Sequence, residues 1–417
     1  MKKLFKLKVK KTNIFLTLIC LISLLAVSCS EDTTPSLYDA NKPAGLTPVI
    51  TSVTPADSGL AGISEITITG SNFSAVKEEN IVYFNGTTAT ILDASPTRLI
   101  VKAPNVVQDD MSLRISVYKV ASFSNVIKYK LQAAAKLVYE FKDFEVPWGI
   151  TTDALGNLYM SFNFQGGTGG TQILTPAGKL SEWAPRGSET FHSAIKWGPD
   201  GSIYAARRQK VIFKITAGAK PVTFVSAGLG VITDFDFDPD GNIWAGGGTE
   251  TTPNDAIYRI KENKDVKAFP FVGNVKSVRI FKENAVDLYI YVAATKDNEQ
   301  VIYRAQIFSA DEIGSFEKYF SFTEVYGTEF PGVSVNAITF AEDGDMYVGT
   351  NMTDPITVIH PDKTYEPLYT GVLSTNVLLF AWGPGNTLYY TRGTESKTQV
   401  VFKVDMLKKG APDYGRD

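Results

Sequence analysis

The chain has little of what metal and redox chemistry needs. Of its 417 residues, two are histidine, His192 and His360, and two are cysteine, Cys20 and Cys29. Two histidines cannot assemble a centre built on several of them. Cys20 falls inside an N-terminal leader expected to be removed, so the mature chain has neither a disulfide nor a cysteine metal site. No basic excess is present either: 41 Lys and Arg stand against 44 Asp and Glu. Without the leader's lysines (Lys2, Lys3, Lys6, Lys8, Lys10 and Lys11) the balance is 35 against 44, a net charge of about −9. No basic patch dominates, so nucleic acid is not an expected partner. Long stretches of helical period are missing. The apolar run Ile14 to Val27, about 14 residues, is short for a membrane span.

Aromatic residues, by contrast, are 12% of the chain, and glycine is abundant. They come in a recurring phrase. Asp238-Pro239-Asp240-Gly241-Asn242-Ile243-Trp244 follows the alternating run Ile232 to Phe237. Alternation, an Asp-Gly turn and a second short run read as a β-hairpin, because Asp-Gly tolerates the positive φ of a tight turn. Close copies run from Asp153 to Tyr159, from Pro199 to Tyr204 and from Glu342 to Tyr347. Weaker ones run from Asn284 to Tyr289 and from Pro384 to Tyr389. Copies roughly 40 to 60 residues apart, with strand signals between them, predict a six-bladed β-propeller over residues 136–407. Trp197, Phe237, Phe340 and Trp382 before the turn, and the repeated Tyr or Trp after it, are expected to pack between blades. Ligand-reading residues are expected where the repeat is broken.

Residues 47–131 read separately. Short alternating strands with turns every eight to twelve residues or so predict a β-sandwich. The opening Ile50-Thr51-Ser52-Val53-Thr54-Pro55 and the phrase Ile66-Thr67-Ile68-Thr69-Gly70-Ser71-Asn72-Phe73 resemble the IPT/TIG domain, an immunoglobulin-like module. With the propeller this makes the chain all-β; the resemblance implies that this domain is a spacer, and nothing in it gathers acids, bases or metal ligands.

Leu24-Leu25-Ala26-Val27-Ser28-Cys29 closes the leader. It resembles a bacterial lipoprotein signal, although Ala26 stands where leucine is usual. The resemblance implies removal of residues 1–28 and lipidation of Cys29, which would hold the protein in a membrane. Ser30-Glu31-Asp32 resembles the surface-export signal of Bacteroidetes lipoproteins, implying an outer-membrane, surface-exposed protein. Residues 29–46 then read as a flexible tether.

Residues 133–135 form a junction. Lys136 to Phe141 reads as a lone strand, and the last repeat supplies only three. Residues 136–141 are therefore expected to pair beside 400–404 and close the ring from both ends of the chain. A tail, 408–417, follows. Ala310 to Ser315, in the aberrant fourth repeat, reads as a helical turn or a surface insertion.

The phrase D-x-x-G-N-L-Y resembles NHL-type and gluconolactonase-like propellers. Such enzymes hold a divalent cation in the central funnel, which here would involve Asp234 with Asn336 and Asn351. One carboxylate is few for a metal hydrolase, and no cofactor or metal is expected. Repeat offsets place Trp148, Ser193, Asp234, Asn336 and Asn376 around the funnel mouth, with Asn163, Arg207, Arg208, Asn351 and Arg392 at second-strand ends; His192, just before a repeat's first strand, is a further candidate to face the opening. Trp148 breaks the repeat, and reads as either a plug of the ring centre or a platform for a sugar ring. Phe162 and Phe164 would form an aromatic lip beside Gly166 to Gly170, a loop that lacks the Lys-Ser/Thr of a nucleotide site. The architecture resembles surface glycan-binding lipoproteins of polysaccharide-uptake systems. It implies non-catalytic capture of carbohydrate, beside an outer-membrane transporter assembly. The alternatives are a funnel-metal hydrolase, lactonase or lyase using Asp234, and a protein-interaction scaffold at the outer membrane.

Overall fold

The computed structural model describes residues 45–142, 145–162, 169–188, 191–248, 254–393 and 399–417. Cys29, Asn163 and Phe164 lie outside the described residues. The architecture is all-β, with a single five-residue α-helix, Phe322–Tyr326, among them.

The N-terminal unit is a sandwich of a four-stranded and a five-stranded sheet. Strands such as Glu65–Ser71 and Arg98–Lys102 alternate, so that Ile66, Ile68, Leu99 and Val101 are fully buried against Val82, Phe84, Leu113 and Ile115. The phrase around Gly70 has a steric origin. A Cβ there would lie 1.9 Å from the Val49 carbonyl oxygen. Asn72 takes a left-handed φ of 65° and donates its side-chain amide to the Thr47 carbonyl. This turn drops Phe73 into the core.

Only two residues separate the last sandwich strand, Ile127–Gln132, from Ala135–Glu140. The latter runs antiparallel to Val400–Asp405, with Ala135 opposite Val404 and Glu140 opposite Val400. The closing sheet thus combines both ends of the second domain, as the strand count demanded. Three further sheets of four strands span residues 147–185, 194–225 and 335–367. The region between them is one eight-stranded sheet on this path. Its strand Val266–Lys282 pairs with Asn254–Ile260 through its first half and with Leu288–Lys296 through its second.

The innermost strands are Pro147–Thr152, Ala194–Trp197, Asp234–Phe237, the second half of Val266–Lys282, Val335–Phe340 and Val377–Trp382. Each touches the next, and the last touches the first, so they form a closed propeller ring. Their first residues gather at one face, the mouth, and their last at the other, the base. The IPT/TIG side of the junction meets Gly385, Asn386 and Thr387, which lie at the base.

The repeated phrase builds the base. Asp238 accepts hydrogen bonds from the backbone N–H groups of Asp240 and Asn242, from the Asn242 amide and from the Trp244 indole. Asp153 serves Leu155, Asn157 and Tyr159 in the same way. In the weaker fourth copy, Asn284 caps the N–H groups of Val286 and Asp287. The carboxylate or amide nucleates the turn and, at Asp153, Asp200 and Asp238, ties down the aromatic after it. Those aromatics then meet the pre-turn aromatic of the next sheet edge-on: Tyr159 with Trp197, Tyr204 with Phe237, and Tyr347 with Trp382. Each such pair contributes about 0.5–1.5 kcal/mol beyond its buried area.

Two segments lie outside the repeat pattern. Ala310 to Ser315 is no helical turn: Glu312–Ile313 folds back on the strand before it. The hairpin tip is clamped by Arg259, which is 1% exposed and donates to the Ala310 carbonyl and to the Asp265 and Asp311 carboxylates. The C-terminal tail crosses the base. Ala411 donates to the Phe340 carbonyl, and Arg416 Nη1 to Thr152 Oγ1 and the Trp382 carbonyl. At Gly415 a Cβ would sit 2.0 Å from the Trp197 carbonyl oxygen, so only glycine allows this approach.

Candidate ligand-binding site

Trp148 sits on a β-bulge. Pro147 pairs with Phe162 and Gly149 with Ser161, leaving Trp148 without a partner across the ladder. A bulge turns its residue away from the strand's regular alternation. Lys276, Asn336 and Leu378 occupy equivalent bulges in three other inner strands. The Trp148 side chain is half-buried and stacks on Phe191, with centroids 4.3 Å apart and planes 20° from parallel. Arg208 lies over the Trp148 ring at 5.0 Å and Arg207 over the Phe191 ring at 5.6 Å. Two aromatic planes and two guanidiniums therefore form one cluster at the mouth.

Below it the channel is narrow. Two cavities along it, of about 40 and 50 Å³, have room for a few water molecules and are too small for a sugar ring. Ion pairs line the wall. Asp234 and Asp236, two residues apart on one strand, both face the axis. Asp234 Oδ2 accepts from Ser277 Oγ, the Val278 N–H and Arg279 Nη1, each at 2.9 Å. Asp236 pairs with Lys196 at 3.3 Å and accepts from the Ile280 N–H. Burial alone would depress the Arg279 guanidinium; the carboxylates of Asp234 and Asp236 more than offset this and hold its pKa above the ordinary arginine value. Among the described residues, no three His, Cys, Asp or Glu side chains converge as metal ligands.

The other predicted residues are dispersed. Asn336 lies at the mouth, but its amide donates to Asn376 Oδ1 and the Val377 carbonyl and accepts from Ser334 Oγ. Asn351 braces the same loop through the Ser334 N–H and the Gly332 carbonyl. His192 is buried, takes Ser161 Oγ as acceptor for its backbone N–H, and meets Phe213 edge-on. It packs between the first two sheets rather than facing the opening. Arg392 lies 5.5 Å over Phe402, on the third strand of the closing sheet. Phe162 is no lip. It is 1% exposed, packed edge-on against Phe141 at 5.0 Å, and has no face left for a ligand. Trp183 likewise packs against Tyr159 and Trp197.

The sequence reading missed Phe191, Lys276 and the partners of Asp234. Phe191 carried a usable signal: it is an aromatic that breaks the repeat just before an inner strand, as Trp148 breaks it at the start of one. Lys276 carried none, because its hairpin is longer than the others and shifts the offset count.

Comparison with known proteins bears on the fold. No curated protein sequence matches the chain. Among solved structures, it is similar to an auxiliary nutrient binding protein from Bacteroides thetaiotaomicron, at 11% identity and a TM-score of 0.49, covering 88% of this chain and 99% of that one. It is also similar to virginiamycin B lyase from Staphylococcus aureus, at 18% identity and a TM-score of 0.42, covering 65% and 99%. A third is the calcium-binding protein regucalcin from Agrobacterium tumefaciens, at 15% identity and a TM-score of 0.46, covering 67% and 97%. These likenesses carry no argument here; the fold stands on the strand pairing and the ring closure. Residues 48–130 match the IPT/TIG domain, so the chain is an immunoglobulin-like IPT/TIG domain followed by a β-propeller.

Proposed function

We propose that this protein captures carbohydrate without transforming it, at the propeller mouth, for an uptake system in the outer membrane. Lipidation of Cys29 would anchor it there, with the IPT/TIG domain as the stalk. The observation that carries the reading is the Trp148–Phe191 stack at the face opposite the stalk junction and the C-terminal tail. The base is covered; the mouth presents the aromatic platform. Axial C–H groups of a sugar meet an aromatic face well, and nearby polar groups bond the hydroxyls. Arg208 is solvent-exposed, and moving it off the ring forfeits a cation–π contact of only about 0.5–1 kcal/mol. The hydrolase alternative asks Asp234 to be a base or a metal ligand. Its Oδ2 already holds three donors in the channel wall, where it lines a cavity of about 40 Å³ that is too small for substrate.

A broad glycan array with the full-length protein in detergent tests the reading, followed by calorimetry on the best glycan. The expected result is an undegraded glycan bound equally well in chelator, and at least about tenfold more weakly after Trp148→Ala. Turnover of the glycan, or binding indifferent to Trp148, would overturn it. Cys29→Ser is expected to release the protein from membranes into the soluble fraction.

A further inference from the structure

We propose, on the basis of the capture reading, that the mouth selects acidic sugars, whose carboxylate or sulfate ester pairs with Arg208 while a ring stacks on Trp148. Three observations converge on Arg208. Its guanidinium lies over Trp148 and has no ion pair with any described residue, nor has Lys210 two positions on. Four more enclosed cations elsewhere are matched: Lys196 with Asp236, Arg279 with Asp234, Arg259 with Asp265 and Asp311, Arg304 with Glu283 and Glu317.

Arg208 also has a φ of 49°, a left-handed conformation that a long side chain adopts only at a cost. That backbone is braced. The Arg208 N–H donates to Ser193 Oγ, Ser193 Oγ donates to the Thr233 carbonyl, and the Ile232 N–H donates to the Gln209 carbonyl. Three segments thus fix the backbone from which the side chain reaches over the aromatic platform, and the guanidinium itself is left free to swing to its edge. A planar guanidinium matches the two oxygens of a carboxylate or sulfate in a bidentate pair. The whole chain carries a formal charge of −3, so polyanions are not drawn to it indiscriminately.

The test is calorimetry on the full-length protein in detergent with two matched pairs of probes. One is an oligogalacturonate and its carboxyl-reduced neutral form; the other is dextran sulfate and dextran oligosaccharides. The expected result is that at least one acidic member binds about tenfold or more tightly than its neutral partner. Which pair responds separates carboxylate from sulfate. The preference should shrink between about 50 and about 300 mM NaCl. Arg208→Gly suits the left-handed backbone, so the melting temperature should not fall while acidic binding drops about tenfold. Arg208→Lys should keep the salt dependence and lose part of the affinity.

Neutral members binding as well as acidic ones, or acidic binding unchanged in Arg208→Gly, would overturn the acidic preference and leave capture standing. Binding of none of the four probes also overturns it, and capture itself then rests on the broad array.

Discussion

The base and the mouth of the ring are made from the same strands and obey different rules. At the base, one phrase recurs, and its polar atoms satisfy one another: Asp238 alone serves two backbone N–H groups, an amide and an indole. At the mouth nothing recurs. Four equivalent bulges carry Trp, Lys, Asn and Leu. Repetition therefore marks where the fold is held together, and its breakdown marks where the molecule can differ from others of its architecture. The sharpest single contrast is between tryptophans. Trp244, after a repeated turn, is fully buried with its N–H on Asp238 at 2.8 Å; Trp148 is half-buried under an exposed arginine.

The channel wall between the two faces gives the largest test. Arg279→Leu would leave the buried Asp234 and Asp236 carboxylates without their common cation. Breaking a buried pair from one side costs about 3–5 kcal/mol. Urea denaturation should show a loss of that size, and Asp234→Asn in the same background should recover part of it. A loss below about 1 kcal/mol would mean the wall is wetter than its burial indicates. The next largest effect compares copies of the base phrase. Asp238→Ala strands the buried Trp244 and Asn242 donors and should cost about 2–4 kcal/mol. Asn284→Ala, in the exposed fourth copy, should cost about 1 kcal/mol or less. Equal losses at the two positions would refute the claim that the strong copies hold the ring by tying down their aromatics.

The base was legible in the sequence because its logic is local. An Asx turn needs its acid, glycine and aromatic within seven residues, so Asp153 to Tyr159 announces itself. The sandwich was legible for the same reason, since Gly70 and Asn72 solve a local steric problem. Ring closure followed from counting strands. The mouth was far less legible. Phe162 reads as an exposed strand end until Tyr139 and Phe141 arrive on the strand that closes the ring. Asp234 reads as a free ligand until Arg279, 45 residues away, is placed beside it. Asn336 reads as available until Asn376 and the Val377 carbonyl take its amide. The tail gave no periodic signal, yet Gly415 and Arg416 fit the base closely. In each case the deciding partner lies in another repeat, where no short-range pattern reaches.

That tail supplies the smallest effect, and its sign distinguishes a fitted cover from a loose appendage. Asp413 is half-buried as a residue, but its Oδ1 is sealed from solvent without a hydrogen-bond partner. Desolvation raises its carboxyl above the usual range, even though Lys196 and Arg416 pull the other way. An acid whose pKa is raised by folding favours the folded state while protonated, and loses that advantage as pH rises through the folded value. Asp413 should therefore subtract stability from about pH 4 upward through that raised pKa, against the opposite contribution of carboxylates held low by their partners, such as Asp200, Asp343 and Asp417. Asp413→Asn, which keeps the shape and removes the charge, should remove that contribution and so gain stability relative to the native chain as the pH rises to about 7. Urea midpoints of both proteins at several pH values read the effect directly. A variant less stable than the native chain at pH 7 would mean that the carboxylate works as a counter-ion to Lys196 and Arg416. The tail would then close the base by charge pairing more than by the close fit of Gly415.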